Sequence, residues 1–219
     1  MLPCTILKDT DEVEARLREH FGLGRVEVMR IALGALAARN DSVAFDPRIA
    51  KGLLAYIYGV RTLREVCADA GGYEPVSHYN IESAYNAARS LKIMFQTADC
   101  TCIDGRDPKA ISAIGPAKEL FIKEASTGFL FPEMEKEREE RLAHLSEFDR
   151  AEAWYVYVAF PNNTVTCELS RPLGVTGGQF SNIVERIFIL GEGDLGPSGL
   201  LDFSDEAPAS EIKPVVSKK

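Results

Sequence analysis

The chain has 219 residues, 46% of them hydrophobic, with 25 Lys and Arg against 33 Asp and Glu and a formal charge of -8. That is enough apolar material to bury a sizeable core as one domain, or one domain with a small appendage, and it excludes disorder as the default. The excess of acid excludes a protein that coats nucleic acid through its whole surface, because phosphate binding needs clustered Lys and Arg, and it leaves room only for a local basic face.

No apolar run reaches the length of about 18 residues that a spanning helix needs, and Met1 to Asp11 has neither the basic nor the apolar region of a signal peptide. A soluble, cytoplasmic protein with no membrane contact is expected. Cys4, Cys67, Cys100, Cys102 and Cys167 are odd in number and lack the spacing of a secreted disulfide framework, so reduced thiols are expected.

Cys4 to Lys8 reads as a short extended run. Asp9 then caps a helix, Glu12 completes a capping box, and Val13, Leu17 and Phe21 lie on one stripe. Gly22 and Gly24 stop that helix. A second starts near Arg25, with Val26, Met29, Leu33, Leu36 and Ala37 on one face and Ile31 and Ala32 beside it, and ends at Asn40. Phe45 to Gly71 reads as buried helix, with Asp46 as its cap, Pro47 in its first turn, and Ile49, Leu53, Leu54, Ile57, Leu63 and Val66 at helical spacing. Gly59 costs about 1 kcal/mol against Ala there, so two shorter helices are as well supported as one long one. Arg61 and Arg64 are either anion holders or partners of surface carboxylates. Pro75 to Asn80 reads as loop, and Ile81 to Arg89 as a helical turn or two.

Leu91, Ile93 and Phe95 alternate with Lys92, Met94 and Gln96, the period of a half-buried strand. It empties into a loop carrying Asp99, Cys100, Cys102, Asp104, Arg106 and Asp107, and such loops are where scaffolds mount chemistry. A connecting region with a short element near Leu120 to Ile122 follows, then a helix from Pro132 to about Phe148. Trp154, Val156, Val158 and Phe160 alternate with Tyr155, Tyr157 and Ala159. After the turn Pro161 to Asn163, Val165, Cys167 and Leu169 alternate with Thr164, Thr166 and Glu168, which predicts a hairpin. Ile183 to Leu190 is a strand or a short helix, and Glu211 to Val216 an edge strand that tolerates Pro214. The sum is an α+β protein: a helical N-terminal half and a small, mainly antiparallel sheet in the C-terminal half. Its parts are a strand-helix-helix module over 1–42, an α+β core over 43–200, and a tail over 201–219.

The run Thr5 to Lys8, the helix Val13 to Phe21 and the stretch Gly22 to Leu36 resemble the ribbon-helix-helix family of DNA-binding dimers. The resemblance implies that the strands of two protomers pair and that Thr5 and Lys8 read the major groove. It also implies that the amides near Gly24 and Arg25 hold a phosphate, which a helix dipole favours. A homodimer follows from the same strand, a lone edge that needs a partner.

The loop after Leu91 to Gln96 offers a second chemistry. Asp99, Asp104 and Asp107 are hard oxygen donors of the kind that hold Mg2+, which makes a nucleophile of water. Asp107 with Lys109 resembles the acidic-x-Lys element of restriction-endonuclease-like nucleases, with Pro108 between them. Glu168, on the polar face of the hairpin before Arg171, meets Asp99 at one rim of the sheet if the two elements pair, and these two are the catalytic candidates. Structural zinc wants two to four residues between paired cysteines and a second pair, which Cys100 and Cys102 lack. The leading expectation is a DNA-associated binding protein, or an accessory subunit of a DNA-handling complex, that meets nucleic acid or partner through its N-terminal module and needs no cofactor. The alternatives are a Mg2+-dependent nuclease or hydrolase near Asp99, and a protein–protein interaction module.

Overall fold

In a computed structural model, residues 3–78, 80–115, 119, 122 and 146–195 are described. Strand β1 (Thr5–Leu7) leads into helix α1 (Thr10–Phe21). Asp9 closes its start by accepting from the Asp11 and Glu12 amides at 3.1 Å, and left-handed Gly22 closes its end. Val13, Leu17 and Phe21 are buried as expected.

Helices α2 (Arg25–Asn40) and α3 (Ala50–Ala70) form an antiparallel hairpin, with Arg30 near the start of one 3.8 Å from Asp69 near the end of the other. The buried face of α2 differs in part from the expected one. Val28, Met29, Ile31, Ala32, Ala35 and Ala38 are inside, whereas Val26 is half exposed, because α2 is covered both by α3 and by the sheet. The Asp46 cap and Pro47 turn also fail: α3 starts at Ala50, and Asp46 instead accepts the Val43 amide in the preceding turn.

The remaining strands are β2 (Glu74–His78), β3 (Ile81–Asn86), β4 (Leu91–Thr97), β5 (Glu152–Ala159), β6 (Thr166–Thr176) and β7 (Gln179–Leu190). They join β1 in one seven-stranded sheet of order β1-β7-β6-β5-β4-β3-β2, parallel at β1–β7 and β4–β5 and antiparallel elsewhere. The α+β class therefore holds, but the sheet is neither small nor confined to the C-terminal half. Two segments hid it. Pro75 sits in edge strand β2, where its missing N–H is tolerated, and β3 buries the polar Ser83 and Asn86 among Ile81 and Ala84. Arg64 reaches from α3 to both, donating to the Val76 and Ser83 carbonyls and to Glu82.

On one face, α1, α2 and α3 share a single core with Leu91, Ile93, Phe95, Trp154 and Val156, so the N-terminal module packs on the sheet. The other face carries Met94, Tyr155, Tyr157 and Phe180. Both faces of β4 and β5 are thus covered, and the half-buried pattern expected for β4 gives way to a buried central strand. The β6–β7 hairpin turns at Gly177 and Gly178, both left-handed (φ 59 and 70). Bulges at Cys167/Glu168 and Arg171/Pro172 bend it. Phe180 near its tip comes to rest 4.5 Å from Tyr155, centre to centre.

The expected Pro132 to Phe148 helix, as far as residue 145, and the expected strand Glu211 to Val216 lie outside the described residues, while Glu147 and Phe148 begin a one-turn helix, Glu147–Arg150, capped by Ser146. Among the described residues no helix is long and apolar enough to cross a membrane.

Gly59 does not break α3, which is continuous for 21 residues. It lets the helix approach β4: a Cβ there would stand 2.4 Å from the Phe95 ring. Gly59→Ala should therefore destabilise by about 2 kcal/mol in urea denaturation, from overpacking, where an exposed helix would gain about 1. Phe95→Leu should recover part of the loss.

Glu152 ties α1 to the sheet through His20, the Trp154 indole and Arg171, each at 3.1 Å. Burial draws its carboxyl upward, but the His20 hydrogen bond, the Arg171 charge and the indole outweigh this and lower it from 4.5 to about 2. A depressed carboxylate stabilises the fold above its unfolded value and loses that contribution as pH falls through the folded one. Stability should fall between pH 4.5 and 2. Glu152→Gln, weaker at neutral pH, should show a shallower fall when acid unfolding is followed by circular dichroism.

Candidate functional site

Strands β1, β4, β5 and β7 all run the same way, so their carboxyl ends share one rim of the sheet. A cleft of about 590 Å³ opens at that rim, the place where open α/β sheets hold ligands. Lys8 follows β1, Arg25 starts α2, Asp99 to Arg106 follow β4, and Phe188 to Asp194 end β7. Residues more than 180 positions apart thus line one space.

Its underside is a buried ion pair. Glu168 on β6 and Arg186 on β7 are 0% and 1% exposed and meet in a two-pronged contact at 2.7 and 2.8 Å. Glu168 also accepts the Ser170 hydroxyl at 2.7 Å and the Cys102 amide at 2.6 Å, and Arg186 donates to the Ile103 carbonyl at 3.1 Å. Cys102 takes a left-handed backbone (φ 56) where its amide meets Glu168. A second tie runs from the Thr101 hydroxyl to that of Thr166 at 2.6 Å.

Around the cleft each cation meets a carboxylate. Lys8 pairs with Asp104. Arg25 donates to the Ile189 carbonyl at 2.8 Å and reaches Asp194 at 3.4 Å. Arg106 holds Asp99 at 2.7 Å, and the Lys109 amide donates to the same carboxylate at 2.8 Å. Burial draws the Asp99 carboxyl upward, but the Lys109 amide and Arg106 outweigh it and keep it below the ordinary range. Burial pushes the thiols the other way, Cys102 up to about 12 and Cys100 up to about 11, each aided by a nearby carboxylate. Both are thiols rather than thiolates at neutral pH.

The expected site residues divide accordingly. Lys8, Arg25 and Asp99 come together in the cleft, although they were assigned to two separate chemistries. Thr5 is exposed on edge strand β1, whose pairing partner is β7 of the same chain. The Gly24 amide donates to Glu27 at 3.1 Å and the Arg25 amide to Glu14 at 2.7 Å, so the start of α2 is satisfied from within. Asp99 is held by Arg106 and Asp104 by Lys8, and Asp107 stands 3.7 Å from Arg186. Among the described residues no three His, Cys, Asp or Glu are grouped to hold a metal ion. Glu168 is on the face the alternation implied, but that face is buried, and its cation is Arg186 rather than Arg171, which pairs with Glu152. Arg186 was legible as a lone cation in the apolar run Ile183 to Leu190. Asp194 had no such signal. Comparison with protein-family models, curated proteins and solved structures finds no match.

Glu168→Gln leaves a guanidinium buried without its charge partner and should destabilise by about 3–5 kcal/mol in chemical denaturation. Pairing it with Arg186→Met should recover most of this. The single variant should also let Cys102 react faster with iodoacetamide, because its amide tether to a charged acceptor is weakened.

Proposed function

We propose that this chain is a binding protein that takes a phosphate-bearing ligand, with nucleic acid as its source, into the cleft at the carboxyl ends of β1, β4, β5 and β7. The observation that carries this reading is the convergence of Lys8, Arg25 and Arg106, from three remote segments, on one cleft. Two of their carboxylate partners, Asp104 and Asp194, are 63% and 44% exposed. Exposed pairs contribute about 0–1 kcal/mol, so a phosphate accepting charge-assisted bonds can displace them. Contact with nucleic acid is local, because the rest of an acidic surface repels it. The side chains of Lys8 and Arg25, rather than the amides that begin α2, are the phosphate ligands in this reading.

Fluorescence anisotropy with a labelled single strand and a labelled duplex tests it, with inorganic pyrophosphate as competitor. Binding should fall with salt at a log–log slope of about -2, as for two or three phosphates. Lys8→Ala, Arg25→Ala or Arg106→Ala should each weaken it about tenfold. Competition by pyrophosphate without oligonucleotide binding assigns the phosphate to a small molecule, and no binding of either overturns the reading. Cleavage that needs Mg2+ and is lost in Asp99→Ala assigns the cleft to hydrolysis.

A further inference from the structure

The first turns of α3, read from the sequence as buried helix, carry large apolar side chains that the fold leaves in water. Ile49, Leu53 and Ile57 follow at four-residue spacing and are 72%, 51% and 47% exposed. Tyr58 lies beside them. The turn before the helix adds Val43 and Phe45, the latter fully exposed. This turn is built, since the Asp46 carboxylate accepts the Val43 amide at 2.8 Å. The other side of these turns enters the core through Ala55, and the second half of α3 through Val60, Leu63 and Val66. A contiguous apolar face of this kind marks an interaction site.

The rim indicates what docks there. Elsewhere among the described residues of this acidic chain cations are largely spent within the fold, as Arg16 is on Glu185, Arg64 on Glu82 and Arg171 on Glu152. Arg48, Lys51 and Arg61 are exposed, and among the described residues no carboxylate pairs with them. Arg61 lies over the Tyr58 ring at 5.0 Å, one turn from Ile57, and Lys51 is one turn from Leu54. The connector's own acids are Asp41 and Asp46, the second committed to the Val43 amide, and Glu65 follows Arg61 by one turn without pairing to it.

We propose that this face docks an amphipathic α-helix of a partner protein, its apolar side on Ile49, Leu53 and Ile57 and its flank carrying Asp and Glu toward Arg61. The stripe runs about 12 Å at 1.5 Å per residue, matching about two turns of such a helix. The site stands apart from the cleft and does not depend on what the cleft binds.

Two labelled model helices test this, one of Leu with Glu and one of Leu with Lys, titrated by anisotropy into the full chain. The Glu helix should bind at least about tenfold more tightly, with an advantage that shrinks as salt rises. Leu53→Ser with Ile57→Ser should abolish binding while melting is unchanged, because neither side chain is in the core. Arg61→Glu should reverse the preference. Equal binding of the two helices, or none of either, overturns the proposal. So does a dimer in light scattering that Ile57→Ser splits, since the face then belongs to a second copy.

Discussion

Arg186 and Glu168 stand on neighbouring strands with almost no access to water, and removing two such charges from solvent costs several kcal/mol each. Only close geometry with both oxygens and all three nitrogens bonded can offset that. The pair meets the requirement by recruiting Ser170 from its own strand and the backbone of Cys102 and Ile103 from the loop after β4. The loop is therefore as necessary to the pair as the pair is to the loop. Since Asp99 and Arg106 ride on that loop, the shape of the cleft is set by an interaction that does not itself line it.

The two faces of the sheet are closed by different means. Helices α1, α2 and α3 cover one with a wide apolar core, and the contact of α3 with β4 is close enough to require glycine at 59. The other is closed partly by the chain after β4 and partly by the bent tip of the β6–β7 hairpin, and here polar groups are sealed in rather than kept out. Lys92 is an instance. It is fully buried on a central strand and donates to the Phe148 and Asp149 carbonyls, so the turn before β5 is held by a cation from the strand beside it.

Strong local patterns were legible in the sequence. The cap and stripe of α1 and the alternation of β5 and β6 survive because local preference and tertiary burial agree there. Where they diverge, the reading failed. Pro75 looks like a loop residue until β2 is known to be an edge, and Gly59 leaves one helix or two equally open until Phe95 is known to lie against it. Exposure on α3 was illegible because Ile49 and Leu53 have the same apolar character as Leu63 and Val66, and only packing separates them. In the cleft, residue types were found but their company was not. Lys8, Arg25 and Asp99 each stand out by residue type, yet nothing in their spacing says that β1 lies beside β7 or that β4 opens toward both.

That neighbouring of β1 and β7 bears on how the molecule is made. Thr5 lies opposite Glu185, 180 positions later, while the pairing is only three residues long. Closing so distant a contact for so few hydrogen bonds is slow and weak until the strands between are in place. During synthesis the first strand leaves the ribosome long before its partner exists, and Lys8 reaches its place at the rim only after Leu190 has emerged. A nascent chain lacking β7 has the helices and the strands before it but no complete cleft, so the cleft takes shape only once β7 has emerged.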